Sequence, residues 1–154
     1  MSTDVPAPPT DQPLAWLARA GLTPPVHETL VALDDALWAG SFDPVLMELL
    51  RLRTAQLLGV EAELTRRTPA ASAAGLDDAL VAELPQWPTS PRFDDRSRAA
   101  IAWAEQWIVD VHGITDTDAA RLQDLFTPAE LAGLTMAIAV FEMTIRARAA
   151  LGAD

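Results

Sequence analysis

A chain of 154 residues, half of them hydrophobic, is long enough for one domain to bury a substantial core. Its net charge of −11 sets it against the phosphates of nucleic acid and against an anionic membrane surface, so neither is expected as a partner. With no cysteine, no lysine and no tyrosine, it cannot perform thiol redox, Schiff-base or pyridoxal-phosphate chemistry, nor build a disulfide scaffold or a phosphate-loop lysine.

Met1 to Pro13 carries no basic residue and no apolar run, which is not the pattern of a secretory signal. With prolines at 6, 8, 9 and 13, residues 1–13 are predicted to be a disordered tail ahead of a helical domain over 14–154. A short helix is expected from Leu14 to Ala20, stopped by Gly21. A second runs from about Val26 to Ala39, with Val26, Leu30, Leu33 and Leu37 as its apolar stripe. Asp43-Pro44 starts a third by pairing a capping aspartate with proline at the first helical position. This helix turns Leu46, Leu49, Leu50, Leu57 and Leu58 to the core, is open to a bend at Gly59 and is disturbed near Pro69.

Gly75 closes the alanine-rich run, and a brief helix follows from Asp77 to Leu84. The loop from Pro85 to Arg92 holds three prolines and Trp87. Asp94 caps a helix over Asp95 to Val111, and Thr115 to Asp118 opens a shorter one ending near Phe126. Thr127-Pro128-Ala129-Glu130 combines a capping box with an N-terminal proline, and the last helix runs to about Leu151 before Gly152. Alanine and leucine dominate and no period-two pattern appears, so the expected fold is an all-α, single-domain helical bundle. No apolar stretch is expected to reach bilayer-spanning length, and the chain is expected to be cytoplasmic.

Residues 40 to 150 carry a resemblance to a known superfamily. Glu48-Leu49-Leu50-Arg51-Leu52-Arg53 is followed by Gln56, Gly59 and the run from Ala70 to Gly75. Trp87, the stretch from Phe93 to Ala100 and Ala102-Trp103-Ala104-Glu105 come next. Phe126, Glu130-Leu131, Leu134, Ala137 to Val140 and Phe141 to Arg146 complete the series. In order and spacing these pieces resemble the alkylhydroperoxidase D and carboxymuconolactone decarboxylase superfamily. The resemblance implies a helical bundle that assembles as a homo-oligomer, and it places Glu48 at the carboxylate used in proton relay.

The redox motif of that superfamily, Cys-x-x-Cys-x-x-x-His, is not kept. Val60 stands at the first cysteine, Glu63 at the second and Arg67 at the histidine. A thiol peroxidase needs a thiolate and a resolving partner, which valine and glutamate cannot supply. A cysteine-less branch that includes the decarboxylase often has Glu-x-x-x-His here. Glu63 fits its glutamate, while Arg67 replaces the histidine and Ala62 a frequent tyrosine.

The candidate catalytic residues are accordingly Glu48, Glu63 and Arg67. One reading makes them a carboxylate pair for acid–base work beside an arginine that binds a small anionic ligand. The other makes them a charge network between helices. On spacing alone Glu63 and Arg67 form an exposed i,i+4 pair worth less than about 1 kcal/mol. Glu142 and Arg146 have the same spacing. Arg51, Arg53, Arg66 and Arg67 form the main basic concentration, suited to a carboxylate ligand or to salt bridges between helices or subunits. His27 and His112 stand far apart with no histidine neighbour, so no metal is expected, and no motif implies a cofactor. The five tryptophans are expected in the core, at an interface or, for Trp103 and Trp107, lining an apolar pocket. Two classes of function remain open: a non-redox enzyme for a small carboxylate or lactone, or a non-catalytic relative that binds a small molecule or a protein.

Overall fold

A computed structural model describes residues 13–40 and 42–152. The predicted tail, apart from Pro13, lies outside the described residues. Within them the order is α1 (Ala15–Arg19), α2 (Pro24–Trp38), α3 (Pro44–Leu58), α4 (Glu61–Leu64), α5 (Pro69–Ala73), α6 (Asp78–Ala82), α7 (Asp95–Val109), α8 (Asp116–Leu125) and α9 (Pro128–Leu151). Single 3₁₀ turns at Leu84–Gln86 and Val111–Gly113 sit before and after α7. The described residues form no strand, and the all-α bundle is as expected.

Local chemistry sets these boundaries. Asp43 accepts a hydrogen bond from the Val45 amide at 2.9 Å, and Asp94 accepts one from Ser97 at 2.7 Å. Thr115 with Asp118 and Thr127 with Glu130 form reciprocal capping boxes. Gly59 ends α3 rather than bending it. At φ +69° it takes the left-handed conformation that costs glycine little, and the amides of Gly59 and Val60 fold back on Gln56 and Ala55. α7 stops at Val109, two residues early, because Asp110 leaves helical geometry at φ −154°, ψ 81°.

α3 is the central rod, packed against both α7 and α9. Leu46, Leu49 and Leu50 point inward as expected, whereas Leu57 and Leu58 at its end are only half-buried. Leu52 and Ala55 are fully buried in their place, so the helix is enclosed on nearly every side. That enclosure also takes in Glu48, Arg51 and Thr54. α9 supplies Leu134, Ala137, Ile138, Phe141 and Ile145 to the same core.

Two expectations need correction. By length and composition α9, with 24 residues, is long and apolar enough to cross a membrane. Here one side of it is core, packed on α3 and α7, while Met136 and Met143 face outward. α2 buries only half of its apolar stripe: Leu30 and Leu37 are half-buried and pack inward, Val26 and Leu33 are exposed, and its one buried residue is Asp34. The helix also turns Trp38 inward, with its ring 6.0 Å from that of Phe141. α1 and α2 close a separate small cluster of Leu14, Trp16 and Leu17 with Leu30, Val31 and Ala147.

Candidate functional site

The buried polar residues of α3 are not scattered. Glu48 and Arg51 are one turn apart, and the Gly59 turn folds α4 back so that Glu63 meets the same guanidinium. Arg51, 2% exposed, is the hub. Its Nε and Nη2 donate to the two oxygens of Glu48 at 3.1 and 2.6 Å. Its Nη1 donates to the carboxylate and the backbone carbonyl of Glu63 at 2.8 and 3.0 Å, and Nη2 donates also to the Arg66 carbonyl at 2.8 Å. Arginine has five N–H groups, and all five are used.

Glu48 is equally complete. Besides the two bonds from Arg51 it accepts the Thr68 amide at 3.3 Å and the Thr68 hydroxyl at 3.0 Å. Four acceptances fill a carboxylate. Thr68 precedes α5 in the capping position but makes no side-chain cap, because its hydroxyl is given to Glu48.

Glu63, 3% exposed, receives three guanidinium groups: Arg51, Arg66 at 2.9 Å and Arg148 at 2.7 Å. Burial pushes its carboxyl up, but the charges of Arg66 and Arg51 and the hydrogen bonds from Arg148 and Arg66 outweigh that and hold it below the ordinary value. Arg148, from the far end of α9, also lies 5.9 Å over the Trp16 ring.

Arg67 does not belong to this cluster. α4 ends at Leu64, so the helical turn that would pair Glu63 with Arg67 is never formed. Arg67 donates to the carbonyls of Leu64 and Arg66 and reaches the exposed Asp78 at 3.3 Å. Of the three candidates the structure brings two together, through Arg51, and leaves the third outside. Spacing gave no sign of Arg148, Thr68 or Asp34.

Asp34 faces the cluster from α2. Burial pushes its carboxyl up, and the charge of Arg66 and a hydrogen bond from Trp38 only partly oppose this. A carboxyl raised on folding favours the folded state most at low pH, and that advantage is lost as pH rises through the folded value. Asp34→Asn should therefore raise the thermal midpoint at neutral pH, with the gain vanishing in acid. An unchanged or lowered midpoint at neutral pH would contradict it.

The remaining polar contacts brace helices. Glu105 accepts from Arg53 at 2.6 Å and from the Trp87 indole at 2.8 Å, while Glu142 accepts from Trp107 at 3.1 Å and pairs with Arg146 at 2.9 Å as its spacing predicts. His27 donates Nε2 to the Leu14 carbonyl at 3.1 Å. Val60, at the first cysteine position, is buried in the core. An open apolar groove of about 630 Å³ lies between α7, α8 and α9, walled by Trp103, Phe126, Leu131 and Met136.

Residues 24–106 match the sequence profile of the carboxymuconolactone decarboxylase family. A solved structure from Agrobacterium tumefaciens, of a protein of unknown function suggested to be an antioxidant defence protein AhpD, has the same fold. The TM-score is 0.77 over 86% of this chain and 91% of that one, at 18% identity. No curated protein matches the chain.

Proposed function

We propose that this chain, which belongs to the carboxymuconolactone decarboxylase family and has no cysteine for thiol chemistry, is a non-catalytic, binding member of that family. One observation carries this reading: Glu48 and Arg51 have no hydrogen-bonding capacity left, since every acceptor site of one and every donor of the other is used within the protein. A general acid or base must reach the substrate's proton. Turnover of a small carboxylate or lactone would ask that of Glu48 or Glu63, and Glu63 is committed to three arginines.

The apolar surface supports a binding role. Met136 and Met143 lie two turns apart on the outer face of α9, and Met136 also edges the groove beside Trp103. Such a face suits self-association through α9, in line with the homo-oligomer that the family resemblance implies.

Purified protein should reduce no organic hydroperoxide with any dithiol, and should leave small lactones and carboxylates unturned. Lactone or carboxylate turnover abolished by Glu48→Gln or Glu63→Gln would overturn the non-catalytic reading. Light scattering should give a multiple of the 16.5 kDa chain mass. A monomer across the concentration range would remove self-association from the proposal.

A further inference from the structure

Three guanidinium groups converge on one carboxylate, and the carboxylate comes from the least substantial element involved. Arg51 and Arg148 stand on the long helices α3 and α9, whereas Glu63 rides on the four-residue α4 just after the Gly59 turn. We propose that Arg51, Arg66 and Arg148 form a carboxylate-binding site whose tethered occupant is Glu63, and that a free monocarboxylate of acetate size takes this site when the tether is cut. The inference concerns binding alone and holds whether or not the chain turns over a substrate.

The donors are arranged for two oxygens on one planar group. Oε2 accepts from Arg51 Nη1 at 2.8 Å and Arg66 Nη2 at 2.9 Å, and Oε1 accepts from Arg148 Nη1 at 2.7 Å. These are charge-assisted bonds of the strong class. The Arg51 and Arg148 sides of the cradle are held by more than its occupant. Without the Glu63 carboxylate, Arg51 keeps both bonds to Glu48 and those to the carbonyls of Glu63 and Arg66. Arg148 keeps the Trp16 ring beneath it. Arg66 adds a buried Nε that has no hydrogen-bond partner.

Charge and size select the ligand. Neutralising or removing Glu63 takes one negative charge away from the three guanidinium groups it pairs with, so the site calls for a single negative charge in its place. Truncation of Glu63 to alanine deletes a methylene and a carboxylate, the heavy atoms of acetate. Entry lies on the side of Arg66 and Arg148, whose side chains are 27% and 13% exposed, with the 3% exposed Arg51 behind them.

The test is thermal unfolding of Glu63→Ala in sodium acetate or formate against sodium chloride at equal ionic strength. In chloride the midpoint should fall well below that of the unaltered protein. It should rise with the logarithm of acetate concentration and recover at least half of the loss by about 100 mM, as linkage requires of a ligand that binds only the folded state. Benzoate should recover little, and the unaltered protein should not respond, because Glu63 already fills the site. The double variant Glu63→Ala with Arg148→Met should lose the response to acetate. If Glu63→Ala is unfolded in chloride, acetate must restore its far-UV helical signal. Failure to do so, an equal response to chloride and acetate, or an unchanged response in the double variant would each overturn the proposal.

Discussion

Arg51→Met should be the most damaging substitution in the polar cluster, costing about 3–5 kcal/mol in urea denaturation, the range for leaving a buried charge without its partner. The reason is that Arg51 serves four groups at once: the carboxylates of Glu48 and Glu63 and the carbonyls of Glu63 and Arg66. Methionine fills similar space with no donor. Glu48, fully buried, would then keep only the amide and hydroxyl of Thr68. Arg51→Lys should recover less than half of the loss, because an ammonium lacks the planar fork that binds Glu48 with two nitrogens. Arg51→Met combined with Glu48→Met should be more stable than Arg51→Met alone, since it removes the stranded charge as well as its partner. A loss below about 1 kcal/mol for Arg51→Met would mean that water reaches the cluster and that its ion pairs are worth no more than surface ones.

How much of this was legible in the sequence divides along the range of the interactions. Helix ends were readable because their chemistry is local. Asp43-Pro44, Asp94 and the two capping boxes each act within a turn, whereas the stop at Gly59 was read only as a bend, so the chain was carried on as helix into the stretch where Glu63 and Arg67 would pair. The cluster was half readable. Glu48 and Glu63 stand out through resemblance, but Arg148 is 85 positions from Glu63 and reaches it only because α9 packs against α3. α2 misled for a related reason. Leu30 and Leu37 of its apolar stripe do pack inward, yet the helix is rotated enough to leave Val26 and Leu33 in solvent while Asp34 is drawn to the charges of Arg66 and Arg51 and Trp38 lies against Phe141. Periodicity says that a helix has a face, and tertiary charge and aromatic contacts decided which face was turned inward.

Glu63→Gln separates the two ways of reading that residue. Were it an exposed partner of Arg67, the substitution would cost less than about 1 kcal/mol. Buried among three guanidinium groups, it should cost about 3 kcal/mol at neutral pH. Glutamine keeps the size and one acceptor oxygen, but its amide nitrogen presents hydrogens to an arginine donor and the cluster loses a negative charge. The pH dependence adds an independent check. The folded carboxyl of Glu63 lies below its ordinary value, so its contribution is fully present above the unfolded value and is lost as pH falls through the folded one. The stability gap between the unaltered protein and Glu63→Gln should therefore be widest near neutrality and narrow in acid. It should not narrow on the alkaline side, where the carboxylate and the arginines all stay charged. Arg67→Gln, by contrast, should change stability by less than about 1 kcal/mol, because that side chain meets only an exposed aspartate and two nearby carbonyls. If Arg67→Gln proved the costlier of the two, the pairing along α4 that spacing alone suggests would be right and the three-arginine arrangement wrong.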